Sequence, residues 1–336
     1  MSLIGIIANP ASGKDIRRIV ARSSTVPDHE KINMLRRVLS GIAALGVDAV
    51  RWMPTSAELV ERAADGLQLD YDARALDLPI SETPDDTTNA AAALHDRGAD
   101  CIVVLGGDGT CRVAVKGAAS TPLLPISTGT NNAFPQLVES TLAGLAAAVV
   151  AHGAAAEAIE RHPCLRILRE SEPIDLALID VVSYEGMVGA RAVWQIDRVR
   201  QVVSVRHRPG TIGLSAIAGY LGLTPPDEQA ALALLLGPGS ATQPSRRVVA
   251  PIAPGVIETV AVQTQRWLPP DATVRIEPTP CVLALDGERE LAVRNGMLVD
   301  VQFDPAGPRV VQVQRALELG VQRGLFDAAR LQTDRS

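Results

Sequence analysis

Between residues 106 and 110 the chain reads GGDGT, a single carboxylate, Asp108, set among Gly106, Gly107, Gly109 and Thr110. Glycines on both sides let the backbone turn tightly and bring its N–H groups against phosphate oxygens with no β-carbon in the way. A carboxylate so placed can take a proton from an attacking hydroxyl or hold the magnesium of a nucleoside triphosphate. A lone Asp-Gly is usually only a turn. Here the five residues directly follow CIVVL, which reads as a buried strand, and the acid is expected to stand exposed at its end. NPASGKDIRR is a second loop of this kind, with Asn9, Ser12, Gly13, Lys14, Arg17 and Arg18. It opens a predicted helix, and its cations suit phosphate pairing, although Arg17 and Arg18 serve equally well as solvated helix residues. The G-x-x-x-x-G-K spacing of a P-loop is missing, which argues against that class of hydrolase.

The elements that carry these loops are legible from their periodicity. LIGIIA at 3–8 predicts a buried strand ended by Asn9-Pro10. Ile32, Leu35, Val38, Leu39, Ile42 and Leu45 recur at helical spacing and predict an amphipathic helix over 28–45, stopped by Gly46. Strands are expected at 47–52, at 76–79, over CIVVL and at 123–126. Thr83, Pro84, Asp85 and Asp86 start a helix that runs to Gly98, and another spans 141–151. Such alternation predicts a parallel sheet covered on both faces, with ligands gathering beyond the carboxyl ends of its strands. From 164 to 303 the pattern changes to β-type runs separated by Pro and Gly, which predicts mostly antiparallel sheet, and a last helix is expected at 313–330.

A chain of 336 residues suggests two domains, and 47% hydrophobic residues with mean hydropathy +0.15 exclude a disordered chain. The formal net charge of −6 offers no long-range pull on a polyanion, so no nucleic-acid partner is expected. A cytoplasmic protein is expected, because no basic segment leads the first apolar run and no stretch of eighteen apolar residues occurs. With few aromatics and no basic amphipathic helix, no membrane partner is expected either. Cys101, Cys111, Cys164 and Cys281 are scattered, in line with buried free thiols rather than a zinc site or disulfides.

GGDGT, NPASGK at 9–14, STGTNNAF at 127–134, PGTIGLS at 209–215 and LDGE at 285–288 together resemble the superfamily of ATP-dependent NAD kinases and diacylglycerol-type lipid kinases. NPASGKDIRR is most similar to the NAD-kinase-like family called acetoin catabolism protein X. The resemblance implies a Rossmann-like α/β domain at 1–126, a β-rich, sandwich-like domain at 127–305, and a segment at 306–336 that packs back on the first. It implies that Asp108 orients or deprotonates the acceptor hydroxyl, with Mg2+ and ATP as cofactor and donor and with NAD or a related dinucleotide as partner. Asn9, Ser12, Gly13, Lys14, Arg17 and the glycines and threonine of GGDGT would then line phosphate. Thr128, Gly129, Thr130, Asn131, Asn132 and Phe134 would touch the dinucleotide, Phe134 by stacking on a base, although a capped turn with a core Phe explains that loop as well. Thr211, Gly213 and Ser215 resemble a segment that helps hold NAD, and a helix start explains them too.

Asp286 in LDGE resembles an acid tied to the metal or nucleotide site of lipid kinases, where a hairpin turn is the alternative. The adjacent Asn-Glu pair by which NAD kinases hold the nucleoside is missing between 150 and 200, the nearest acid being in Tyr184-Glu185-Gly186. The reading is thus a phosphoryl transfer from ATP to the 2′-hydroxyl of NAD by a homo-oligomer. A lipid or small-alcohol kinase and a non-catalytic nucleotide sensor are the alternatives.

Overall fold

A computed structural model describes residues 1–12, 26–129, 132–185, 196–226, 229–239, 245–287 and 289–327. In chain order the first elements are β1 (Leu3–Ala8), α1 (Asp28–Leu45), β2 (Ala49–Trp52), α2 (Leu59–Ala64), β3 (Asp72–Ala75) and α3 (Pro84–Asp96). They are followed by β4 (Cys101–Gly106), α4 (Asp108–Ala118), β5 (Leu123–Ser127), α5 (Ser140–Ala151) and β6 (Ile159–Arg161). Then come β7 (Cys164–Arg169), β8 (Glu172–Ala177), β9 (Asp180–Glu185), β10 (Val199–Ser204), α6 (Ala216–Tyr220), β11 (Ala231–Leu236), β12 (Arg246–Ala253) and β13 (Val256–Leu268). The remainder is β14 (Thr273–Arg275), β15 (Cys281–Leu285), β16 (Arg289–Val293), β17 (Val299–Asp304), β18 (Arg309–Val311) and α7 (Val313–Gln322).

The chain divides into two compact units, one made of described residues up to 161 and from 308 onward, the other of those from 162 to 307. In the first, the sheet order is β3-β2-β1-β4-β5-β18-β6, with β1 to β5 all parallel. β1 and β4 are buried along their whole length because helices cover both faces, which explains their unbroken apolar runs. α1, α2, α5 and α7 share one core with Ile4, Ile6, Val103 and Leu105, while α3 lies on the opposite face, where Leu94 fills the space that a side chain at Gly5 would need. α1 and α5 approach so closely that a β-carbon on Gly144 would stand 2.2 Å from the carbonyl oxygen of Val38.

Several local expectations shift. The third strand is Asp72–Ala75 rather than 76–79: an edge strand with alternately exposed residues lacks the apolar run of an interior one. α7 ends at Gln322 because Gly324, at φ 68°, and Leu325 turn their N–H groups back onto Val321 and Gly320. The unit boundary falls at 161/162 rather than at 126/127, since α5 and β6 complete the first core and sheet before the chain leaves it.

The second unit holds an antiparallel sheet of order β12-β13-β11-β10-β9-β15-β16 and a four-stranded sheet of order β14-β17-β7-β8. One apolar core lies between the sheets, with Val181, Leu283, Ile167 and Phe303, and a second joins the other face of the larger sheet to Ile217 of α6 and to Leu221 at its end. Val181 and Val182 are neighbours on β9 and enter different cores, as the twofold period of a strand requires. Among the described residues no helix is long and apolar enough to cross a membrane.

Candidate active site

β1, β4 and β5 lie side by side and parallel, so the three segments that follow them emerge together at one edge of the sheet. After β4 the chain enters α4 at once: Gly107 is the N-cap and Asp108 the first helical residue. The first-turn N–H groups of α4 have no earlier carbonyl in the helix to bond, which makes this end partly positive and suited to an anion. Gly106 must lack a side chain, because its β-carbon would stand 2.6 Å from Cβ of Thr110.

Asp108 differs from its sequence expectation. It is only 9% exposed, not an open acid at a strand tip, because its carboxylate folds under the loop that follows β5. Its Oδ1 accepts the N–H groups of Phe134 at 2.8 Å and Ala133 at 3.0 Å, and Oδ2 lies 3.1 Å from the latter N–H. The loop doubles back beside β5, with the Ser127 N–H on the Gln136 carbonyl at 2.8 Å. Within it, the Asn132 amide donates to Ser127 Oγ at 2.8 Å, and Ser127 Oγ donates to the Gly129 carbonyl at 2.6 Å. Asn132 also faces GGDGT, its Oδ1 being 3.0 Å from where a β-carbon on Gly107 would sit. Thr128 is buried, and its hydroxyl meets no hydrogen-bond partner among the described residues.

The turn after β1 reaches the same place. Asn9 donates through Nδ2 to Thr110 Oγ1 at 3.0 Å, while its Oδ1 accepts the Ala11 N–H at 2.8 Å and its carbonyl accepts the Ser12 hydroxyl at 2.7 Å. Under this turn lies Lys31 of α1, fully buried, with Nζ donating to the Pro10 carbonyl at 2.6 Å. Sequence reasoning passed over Lys31. Its signal was position, for the apolar stripe 35, 38, 42 and 45 continues backward to 31.

The structure thus gathers Asn9, Ser12, Gly106, Gly107, Asp108, Gly109, Thr110, Thr128, Gly129, Asn132 and Phe134 within one unit. Gly13, Lys14, Arg17, Arg18, Thr130 and Asn131 lie outside the described residues. Phe134 is 4% exposed, so its ring belongs to the packed interior and not to a base-stacking surface. Thr211 and Ser215 belong to the second unit, beside α6; Ser215 is buried, and the Thr211 hydroxyl is buried without a hydrogen-bond partner among the described residues. Asp286 follows the hairpin reading: it turns between β15 and β16, and its carboxylate accepts the N–H groups of Leu178, Ile179 and Asp180 in its own unit. All four cysteines are buried and outside any disulfide, and burial pushes the Cys281 thiol up to about 11 and the Cys164 thiol up to about 12, so neither is a nucleophile at neutral pH.

Sequence comparisons with known proteins agree on the lineage. The family model for the ATP-NAD kinase N-terminal domain matches residues 4–154, and that for the acetoin catabolism protein X C-terminal domain matches 163–306. Two structures of a putative diacylglycerol kinase from Bacillus anthracis str. Sterne superpose over 92% of this chain and 96% and 98% of theirs, at 13% identity and TM-scores of 0.45 and 0.46. Acetoin catabolism protein X of Cupriavidus necator is 38% identical over 309 residues, 86% of this chain and 84% of that protein. With both family models in register and that identity over most of its length, the chain belongs to the acetoin catabolism protein X family, built on an NAD-kinase-like amino-terminal domain.

Proposed function

We propose that the chain is a kinase that transfers the γ-phosphoryl group of ATP to an alcohol, the 2′-hydroxyl of the adenosine ribose of NAD. The observation that carries this reading is the meeting of three strand ends around Asp108, with the amino terminus of α4 directed at the same edge. In the reaction the acceptor oxygen forms a bond to the γ-phosphorus as the bond to the β,γ-bridging oxygen breaks, and ADP leaves. The hydroxyl proton passes to Asp108, directly or through one water. The N–H groups of α4 and the ammonium of Lys14 balance the charge of the phosphates, and alignment supplies most of the acceleration.

Among the described residues no three His, Cys, Asp or Glu side chains cluster as a metal cage. That fits magnesium carried on the triphosphate with a single carboxylate, Asp108, beside it. When bound, the ion would neutralise charge on the phosphates.

The acceptor ribose is held by the loop after β5, where Asn131 and Asn132 each offer an amide donor and a carbonyl acceptor. A second reading, a nucleotide-binding protein without turnover, is favoured by the two backbone N–H groups already on the Asp108 carboxylate. Purified protein given ATP, magnesium and NAD decides between them. The kinase forms NADP, and alanine at both Asn131 and Asn132 raises KM for NAD more than for ATP. Tight dinucleotide binding without product at any magnesium concentration establishes the second reading. Phosphorylation of another alcohol from a panel of lipids and small alcohols, with NAD inert, keeps the kinase and removes NAD.

A further inference from the structure

The chain contains three lysines, Lys14, Lys31 and Lys116, against 29 arginines. Lys116 is exposed on α4, whereas Lys31 has no exposed surface at all. It occupies a step of the apolar stripe of α1 that continues through Leu35, Val38, Ile42 and Leu45, every one of them buried. Helix periodicity asks for an aliphatic residue at that step, and burying an ammonium is costly unless close partners receive it. Two are on hand: the Pro10 carbonyl at 2.6 Å and Asp28 Oδ1 at 3.2 Å, one turn earlier on α1. A compact ammonium with three rotatable donors can serve a carbonyl and a carboxylate at such close quarters, where the wide planar fork of an arginine cannot.

The bond to Pro10 is the informative one, because it ties α1 to a turn far from it in sequence. That turn is also held by its own groups, the Ala11 N–H on Asn9 Oδ1 and the Ser12 hydroxyl and N–H on the Asn9 carbonyl, and by the Asn9 N–H on the Leu105 carbonyl of β4 at 3.3 Å. From it Asn9 reaches Thr110 in the first turn of α4. A continuous path of hydrogen bonds and one short turn therefore runs from the buried ammonium to the helix end beside Asp108. We propose that Lys31 is a positioning residue: it fixes the turn after β1 in the shape that receives nucleotide phosphate and adds a buried positive charge beneath it. This inference rests on the phosphoryl-transfer reading for the identity of its ligand, and on the geometry alone for the hold on the turn.

The test uses the full chain and Lys31→Met, which keeps length and apolar bulk while removing charge and donor. Calorimetry with ATP and magnesium should show affinity lowered about tenfold or more, the worth of a charge-assisted hydrogen bond to an anion-binding turn. KM for ATP should rise while KM for the acceptor stays within twofold, a split that general loosening of the fold would not produce. Hydrogen exchange at Ala11 and Ser12 should quicken, with β1 and β4 unchanged.

Should Lys31→Met fail to fold, the parent labelled with 15N at the lysine side-chain nitrogens answers instead. One of its three ammonium signals exchanges slowly with water, and that signal shifts when ATP and magnesium are added. Unchanged ATP affinity in Lys31→Met, or a slowly exchanging signal unmoved by saturating ATP, overturns the proposal. A parent that binds no nucleoside triphosphate overturns the phosphoryl-transfer reading, and exchange at Ala11 and Ser12 then decides by itself whether Lys31 holds the turn.

Discussion

Replacing Asp108 separates the tether seen in the structure from the catalytic job proposed for the same carboxylate. As a tether, Asp108 anchors the loop after β5 through the N–H groups of Ala133 and Phe134, both on Oδ1. In Asp108→Asn the side-chain oxygen can keep both bonds, while the charge and the longer Oδ2 contact to Ala133 at 3.1 Å are lost. The stability cost is therefore about 0.5–1.5 kcal/mol, one modest hydrogen-bond difference. If the same carboxylate receives the acceptor proton or holds the magnesium, turnover falls at least about a hundredfold, or about 2.7 kcal/mol on the barrier. Asp108→Ala removes the acceptor from both N–H groups, and the Phe134 group is buried, so about 2–4 kcal/mol of stability should go. Thermal unfolding of the three proteins beside an NADP-forming assay reads both effects. An Asn variant with near-parental turnover removes Asp108 from the chemistry and leaves the tether. An Ala variant as stable as the parent refutes the tether.

Three further outcomes are expected. Lys14→Ala should weaken ATP binding by about 1.5–3 kcal/mol by calorimetry, as loss of a phosphate-paired ammonium does; unchanged affinity returns Lys14 to a solvated role. Gly144→Ala places a methyl 2.2 Å from the Val38 carbonyl, so α5 must move off α1 and stability should drop by about 1–3 kcal/mol in denaturant unfolding. Burial, with Arg206 assisting, lowers the His162 imidazole to about 4. The unfolded chain then takes up the proton first, so stability is lost as pH falls from about 6.5 to about 4, by up to about 2–3 kcal/mol. The pH profile of His162→Gln should be flatter over that interval, and an unaltered profile would show that His162 does not cause the loss.

The parallel half of the molecule was largely written in its periodicity. LIGIIA and CIVVL are apolar because both faces of an interior parallel strand are covered, and the stripe of α1 is apolar because it does part of that covering, constraints visible one residue at a time. Thr83, too, caps α3 as its residue type announces, accepting the Asp85 N–H. Strands whose residues are half exposed, such as β3, β12 and β16, carried weaker signals, and Arg246, Arg247 and Pro251 disguise β12 further. GGDGT and NPASG were recognisable as loops at strand ends, since glycine and proline act on the backbone where they stand.

What no local pattern could reveal is the use made of each polar group, because that depends on partners distant in the chain. Asp108 and Asp286 look alike in sequence, each followed by glycine. Only the fold turns Asp108 onto Ala133 and Phe134 beside an open helix end, and Asp286 onto Leu178 to Asp180 inside a sheet unit. Phe134 is an aromatic in a loop until packing buries its ring, and Lys31 a helix cation until the turn after β1 settles on its ammonium. Residue type and spacing determine which elements form and where the chain must turn. Tertiary structure decides which buried polar atom is satisfied by which other, because desolvation is paid only where distant segments come together.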